Sequence, residues 1–574
     1  MAAADTEYDL IIIGGGIAGI TAAVRALELD LKTIILEKGK EEIYPCNTRQ
    51  SGGVIHIGFL DPYRSQQDLA EIINSRSGGE QDQILADCLA CNGSRFLDWL
   101  KGHGAKFVSF NEQEGYRWCV APPRALRAGI DWLGRGPDVL LQRLEAKMKK
   151  MGGALHRGTR VNSLIIDEGV CRGVLAESVS EERAWYSSHV LIADGGFQYN
   201  RKLYEEFIGG SFDKVFQRGA KTGIGDGLNM ARQIGAQLTG LDKFYGHLLS
   251  ADAFHSDKVW PYPEIDAIAT SGILVDRCGN RVADEGRSGV YLTNAVAKTS
   301  SVGPFFSICD TAIWEGPGRS ARIPANPLLE KAGGTIFKSD TIEELAELIK
   351  TPTDTLINTV SVYNNAIDDG NLINLPIPRS EVIRAWKIIK PPFIAIPTCP
   401  GITYTMGGIK TNEKAQVISE SGRIIPGLLA AGATTGGLEG GTQAAYIGGL
   451  MKSGVFGLIA AEQTAQMLGK LPTGRIKIST NFGAPVNEFE KKKDTYYRPR
   501  GLAEFPVLRF LVEQGVLLSI LCSSVAFVLI LWIFFPFLGF KSIVLGSFVS
   551  FLLVIVGIGF TQLVRLIIKL LLPE

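Results

Sequence analysis

Charge of neither sign is in excess: 59 lysines and arginines balance 59 aspartates and glutamates over 574 residues, which removes any general pull toward nucleic acid or another polyanion. Histidine is scarce. The six present show no metal-ligand spacing and no nucleophile triad with a serine and an aspartate. The nine cysteines are an odd number at irregular spacing, and Cys88 and Cys91 form the single CxxC, in a helical-looking stretch without a second pair. This argues against a metal site or a disulfide framework and fits a reduced, cytosol-facing protein. The N-terminal MAAADTEYDL lacks the basic and apolar regions of an export signal.

What the chain has is apolar residues, 46% of the total, enough to build a sizeable core. Two stretches near the C-terminus, 515–540 and 542–564, carry no ionisable acid or base. Each exceeds the roughly 20 residues that cross a bilayer. They are expected to form a transmembrane hairpin over 513–571, joined to the body by a polar tether over 471–512. Lys491, Lys492, Lys493, Arg498, Arg500 and Arg509 precede the hairpin, Arg565 and Lys569 follow it, and only Lys541 lies between. The positive-inside rule then leaves both ends, and the body, on the cytoplasmic side of a membrane crossed twice.

The segment YDLIIIGGGIAGITAAVRALELDLKTIILEKG reads as strand, glycine turn, helix, strand, acid. Gly14, Gly16 and Gly19 make GxGxxG, which lets a dinucleotide pyrophosphate approach a helix N-terminus, and Glu37 is placed to accept from a ribose hydroxyl. The turn does not by itself separate NAD from FAD. Later stretches do: SSHVLIADGGF (187–197) and GRIIPGLLAAGATTGG (422–437) are strands running into glycine, and Val161 lies on a strand able to meet an adenine edge. Repeated returns to one nucleotide suit a flavin buried along its length.

The stretches IIIGGGIAG, ILEKG, NTRQSGG, IADGGF, GIGDGLNMA, GILVDRCGNRVADEG, TMGG, IPGLLAAG and GGLMKSGVFG together resemble the fumarate reductase and succinate dehydrogenase flavoproteins. The likeness covers about residues 8–466 and is nearest the tricarballylate and ketosteroid dehydrogenase branches. It implies an α/β fold with a Rossmann-like FAD-binding domain formed from 1–237 and 391–470, and an inserted α+β cap over 238–390. Expected FAD contacts are Gly14, Gly15, Gly16, Ile17, Ala18, Gly19, Glu37, Lys38, Asn47, Thr48, Ser51, Gly52 and Gly53. Val161, Ala193, Asp194, Gly195, Asp226, Gly432, Ala433, Gly448, Gly449 and Leu450 complete the set. Relatives with covalent flavin carry a histidine just before the glycine pair; here Cys46, Asn47 and Thr48 stand there, so the FAD is expected to be non-covalent.

Fumarate reductases clamp a dicarboxylate with two histidines and an arginine, and deliver a proton from a further arginine. By resemblance His247 matches the first histidine, and Arg287 lies near the proton-delivering arginine, about two residues early. Tyr404 replaces the histidine before TMGG, and no arginine occurs between Gly432 and Lys452. A phenol offers one neutral hydrogen bond where a guanidinium offers a fork, so a small dicarboxylate is poorly held. Tyr446 aligns with a ketosteroid-dehydrogenase tyrosine that polarises the substrate carbonyl, and Tyr291 is a candidate base. The expected function is membrane-anchored, FAD-dependent oxidoreduction of a CH–CH bond beside a carbonyl or carboxyl group of a small molecule, in either direction. A quinone is a possible electron acceptor. The alternative is a flavoprotein subunit of a membrane electron-transfer complex.

Overall fold

The computed structural model of the chain describes residues 8–471, apart from 110–113, 124–131, 179–180, 261, 300–302 and 322, together with isolated positions from 524 to 562. The chain divides into two units, Met1–Phe482 and Gly483–Glu574. The tether and hairpin expected over 471–571 lie outside the described residues, save Leu471 and the isolated positions. Of these, Ser524, Val528, Ile543 and Phe551 are helical. No helix among the described residues is long and apolar enough to cross a membrane.

Within the first unit, Tyr8–Ile13 forms β1, and its last four residues are aliphatic and buried, as a central parallel strand with both faces covered requires. A glycine turn leads to α1 (Ile17–Glu28) and β2 (Thr33–Leu36), and α2 (Gln83–Gly102) follows. Next come β3 (Ala154–His156), β4 (Arg160–Asp167), β5 (Val170–Glu177) and β6 (Glu182–Ile192). The second half supplies β7 (Phe244–Ser250), β8 (Ile273–Val275), β9 (Phe305–Asp310), β10 (Phe393–Thr405), β11 (Gln416–Ile418), β12 (Ile424–Ala430) and α3 (Gly449–Met467).

The main sheet has eight strands, in the order β11-β12-β6-β1-β2-β3, with the β4–β5 hairpin attached to β6. Strands β12, β6, β1, β2 and β3 run parallel, so their C-terminal ends and the loops after them meet at one edge. A second, six-stranded sheet contains β7-β10-β9-β8, these four antiparallel to their neighbours, with Phe216–Gln217 added parallel to β10. Its central strand is β10, so this sheet continues to Thr405. The boundary expected at 390 falls just before a strand that belongs to the second sheet by its hydrogen bonds.

Helix α3 is the spine of the first unit: every residue from 451 to 465 is buried. Small residues let it lie that deep. A Cβ at Gly457 would stand 2.5 Å from the Ala18 carbonyl oxygen, and one at Gly454 would fall on the Phe96 ring. The one acid in its second half, Glu462, accepts from Arg25 at 2.9 Å and from Arg95 at 2.7 Å, so its charge is answered from α1 and α2.

Gly457→Ala is therefore expected to lower stability by about 1–3 kcal/mol, the usual range for overpacking. Gly102→Ala, whose added methyl meets nothing within 4 Å, serves as the neutral comparison. Thermal unfolding of the two variants beside the parent checks this.

Candidate active site

The loops after β1, β6 and β12 line one elongated cavity with about 1840 Å³ of empty space, part of it open to solvent. This is the crevice at the carboxyl ends of a parallel sheet where such folds hold ligands. Its floor is largely bare backbone. Gly14 has φ +100°, and a Cβ there would stand 2.7 Å from the Ala193 carbonyl oxygen, so only glycine lets β1 and β6 end side by side.

The turn is held by side chains brought from afar. Glu37 accepts the Gly15 N–H at 2.8 Å and the Gly39 N–H at 2.7 Å, and its burial pushes its pKa up. Thr48 Oγ1 accepts the Ile17 N–H at 3.0 Å. Asn47 accepts from Ala220 N–H at 2.6 Å and donates to the Thr403 carbonyl at 3.0 Å, tying three segments together. Beneath them Arg49 and Asp138 pair with both side chains fully buried.

Residues 14–18, Glu37, Lys38, Asn47, Thr48, 51–53, Val161, 193–195, Asp226, Gly432, Ala433, Gly449 and Leu450 all line the cavity. Gly19 and Gly448 do not: a Cβ at Gly19 would strike the Gly14 carbonyl at 1.9 Å, and one at Gly448 the His56 carbonyl at 2.4 Å. Both serve close packing. Asp226 is gripped by Lys38 at 3.0 Å and Arg160 at 2.6 Å, and despite burial these cations hold its carboxyl below the usual range. Two buried acceptors on the wall, Gln198 Oε1 and Thr403 Oγ1, have no partner among the described residues. A glycine-floored crevice with orphan polar atoms fits a long, hydrogen-bonding cofactor.

The other end of the cavity is aromatic. Tyr245 and Tyr446 stack at 3.9 Å with an interplanar angle of 16°, and Tyr404 lies 5.4 Å from Tyr245. Phe59 is 5.9 Å from Tyr446 and stacks on His56 at 4.3 Å. Tyr446 Oη accepts the Gly449 N–H at 3.4 Å, at the first residue of α3. Tyr404 Oη donates to the buried Glu439 carboxylate at 3.0–3.1 Å; burial first, and that acid second, push its pKa well above the ordinary tyrosine value. Glu439 also takes the Lys452 ammonium at 2.7 Å. His247 bridges Asp266, at 2.5 Å from Nδ1, and Tyr245, whose hydroxyl is 2.9 Å from Nε2.

A family model described as FAD binding domain matches residues 9–447. The chain belongs to that family. It is a flavoprotein whose cofactor is FAD. A NADH:acrylate oxidoreductase from Vibrio harveyi is 26% identical over 81% of the chain and 51% of its own length, so the chain spans about half of that relative. A fumarate reductase (cytochrome) from Shewanella frigidimarina is 25% identical over 80% of the chain and 77% of its own length. The fold is shared with the crystal structure of 3-ketosteroid delta1-dehydrogenase from Sterolibacterium denitrificans at a TM-score of 0.63, with 18% identity over 80% of this chain and 99% of that one.

In this flavoprotein Tyr404, Tyr446 and His247 line the cavity, whereas Arg287 and Tyr291 are not among its lining residues. Ser288 caps the helix Gly289–Lys298, accepting the Tyr291 N–H at 3.0 Å. Arg287 instead donates to Asp284 at 3.2 Å and lies 4.7 Å over the Tyr291 ring. Tyr245, Arg218, Glu439 and Lys452 went unnoticed in the sequence. Tyr245 carried a signal, since a residue two before His247 on a strand points to the same face.

Burial raises the Asp194 carboxyl to about 6, with only partial relief from Lys38 and the Gly227 N–H. A folded state that keeps this proton while the unfolded chain releases it loses stability as pH rises from about 4 to 6. Asp194→Asn should therefore raise the melting temperature of flavin-stripped protein at pH 7.5, with the gain vanishing near pH 4.

Proposed function

We propose that the chain is a membrane-anchored FAD enzyme that saturates or desaturates a CH–CH bond beside the carbonyl or carboxyl group of a lipophilic, weakly charged substrate. One observation carries the substrate class. Every lysine and arginine lining the cavity, among the described residues, already faces a carboxylate: Lys38 and Arg160 face Asp226, Lys452 faces Glu439, and Arg218 lies 4.0 Å from Glu264. Arg218 alone, no closer than 4.0 Å to its carboxylate, keeps a guanidinium able to meet one substrate carboxyl group, and a second carboxylate finds no cation left over. Tyrosine and phenylalanine rings fill the space instead, and such walls favour apolar, flat molecules.

Bound non-covalently, the flavin supplies or accepts hydride at its N5. The protein's part is to hold the oxygen and the proton. Tyr446 Oη and the Gly449 N–H lie together at the start of α3, where the helix dipole adds positive potential. A carbonyl oxygen docked there gains charge as the bond order changes, and the Tyr446 hydroxyl, polarised by the Gly449 N–H that it accepts, stabilises it in the transition state. The bilayer location rests on the uncharged stretches 515–540 and 542–564. The helical, outward-facing Val528 and Phe551, 62% and 64% exposed, support it. Both flanks are basic, and the positive-inside rule favours the cytoplasmic side for the catalytic body.

Full-length protein should sediment with membranes, and a chain ending at Leu471 should be soluble and yellow; a colourless or unfolded product contradicts this division of the chain, and full-length protein left in the supernatant contradicts the anchor. When the flavin is chemically reduced under argon, cyclohex-2-enone should reoxidise it faster than fumarate. Equal or reversed rates would reject the substrate class. Tyr446→Phe should slow that reoxidation by about 100-fold, the scale of losing one oxyanion donor.

A further inference from the structure

We infer that Tyr245 is the residue that exchanges a proton with the substrate, working through His247 and Asp266. The inference rests on the CH–CH chemistry proposed above and names its acid–base group. Tyr245 lines the cavity in a stack with Tyr446, so two phenols face the same space. Its hydroxyl lies 2.9 Å from His247 Nε2, and His247 Nδ1 lies 2.5 Å from Asp266 Oδ2. The other Asp266 oxygen accepts the Leu248 N–H at 2.7 Å, which fixes the carboxylate toward the ring. Three titratable groups thus run in series from the cavity wall into the second sheet.

The other candidates are spoken for. The Tyr404 proton is directed to Glu439, and Arg287 and Tyr291 stand outside the cavity lining. His247 also lines the cavity, but both of its nitrogens are engaged. The titratable and charged groups facing Tyr245 are Tyr446, Tyr404, Tyr116, His247, Arg218 and Glu264, the last 3.8 Å from His247 Nε2. Burial raises the Tyr245 pKa well above the ordinary phenol value, so the hydroxyl holds its proton until a neighbour or substrate takes it.

In the saturating direction, addition of a hydride to one alkene carbon breaks the π bond and leaves its electron pair on the neighbouring carbon. That pair forms a C–H bond with the Tyr245 hydroxyl proton. The phenolate takes the proton on Nε2 of an imidazolium His247, and water reprotonates the ring. The substrate gains one hydride and one proton, and the two electrons come from the reduced flavin. In the desaturating direction a neutral His247, with Nδ1–H donated to Asp266, accepts the Tyr245 proton as the phenol oxygen removes the one α to the carbonyl; the freed pair becomes the new π bond and the β-carbon loses its hydride, whose two electrons the oxidised flavin would take. A single histidine with a carboxylate behind it serves both directions.

The test uses full-length holoenzyme in detergent, its flavin chemically reduced under argon and mixed in a stopped flow with fumarate, acrylate, cinnamate or cyclohex-2-enone. On whichever probe the wild type reduces fastest, Tyr245→Phe should slow reoxidation by about 100-fold or more at saturation, the scale of losing a general acid, with KM little changed. His247→Gln should slow the same step by about 10-fold or more and abolish the limb of the pH profile seen in wild type. Tyr291→Phe, outside the cavity lining, should match wild type. Flavin content per chain is measured for each variant, and if Tyr245→Phe fails to retain FAD, His247→Gln and Asp266→Asn decide. A Tyr245→Phe rate within a few-fold of wild type, a loss confined to KM, or an unaltered pH profile in His247→Gln would overturn the proposal while leaving the CH–CH reading intact. A wild type inert toward all four probes would overturn both.

Discussion

A buried carboxylate must find donors, and the answer this chain gives for Glu439 organises the reactive end of the cavity. Glu439 is wholly shielded from solvent and collects the Lys452 ammonium, the Tyr404 hydroxyl and the N–H groups of Ile447 and Gly448. Those four donors come from β10, from the loop that carries Tyr446, and from the first turn of α3. One charge therefore fixes three pieces of wall relative to one another. Such a pair adds little net stability over an apolar substitute, yet removing one partner strands the other at about 3–5 kcal/mol. Its value lies in geometry: the Tyr446 loop cannot drift from α3 without leaving Glu439 underdonated.

The same constraint separates this site from one built for dicarboxylates. A clamp for two carboxylates keeps cations in the open cavity and lets the substrate neutralise them. Here three of the four cavity cations are closely paired within the protein, and Arg218 alone stands off its carboxylate, at 4.0 Å. Lys452 is 2% exposed against a fully buried Glu439, and Arg218 is 10% exposed beside Glu264. A second substrate carboxylate would enter as an uncompensated charge in a poorly solvated space, a penalty that a neutral enone or a single carboxyl group avoids. The aromatic stack is consistent with that reckoning, since flat rings offer contact area without charge.

The part of the fold that was legible in the sequence is the part whose physics is local. Strand β1, the turn at 14–16, α1 and Glu37 sit within thirty residues or so of one another. Each signal there is a backbone demand that only certain residues meet, such as φ +100° at Gly14. Gly19 and Gly448 were legible as required glycines but not as to why, because a missing side chain reads the same whether it makes room for a ligand or for a neighbouring carbonyl. The sheet to which β10 belongs was not legible because the strand, at thirteen residues, is apolar enough to suit either, and only pairing assigns it.

Side chains that act through distant partners were the least legible. The position of Arg287 after Asp284 and Glu285 resembles a proton-delivering arginine, and its contact with Asp284 beside a helix capped by Ser288 is something that spacing alone does not announce. Tyr404 was legible as a substitution and misleading as a donor, because its partner lies 35 residues on in a glycine-rich loop with no motif of its own. Tyr245 and His247, by contrast, are two apart on one strand, and Asp266 lies 19 residues beyond His247. A polar triplet that a single turn of chain can assemble needs no long-range coincidence. The acid–base function thus follows β7 and the helix start beside it, while the flavin follows the parallel sheet. The two halves of the chemistry reside in two different sheets, and β10 is the strand that reaches both: it pairs with β7 through the second sheet and delivers Tyr404 to Glu439 at the foot of α3.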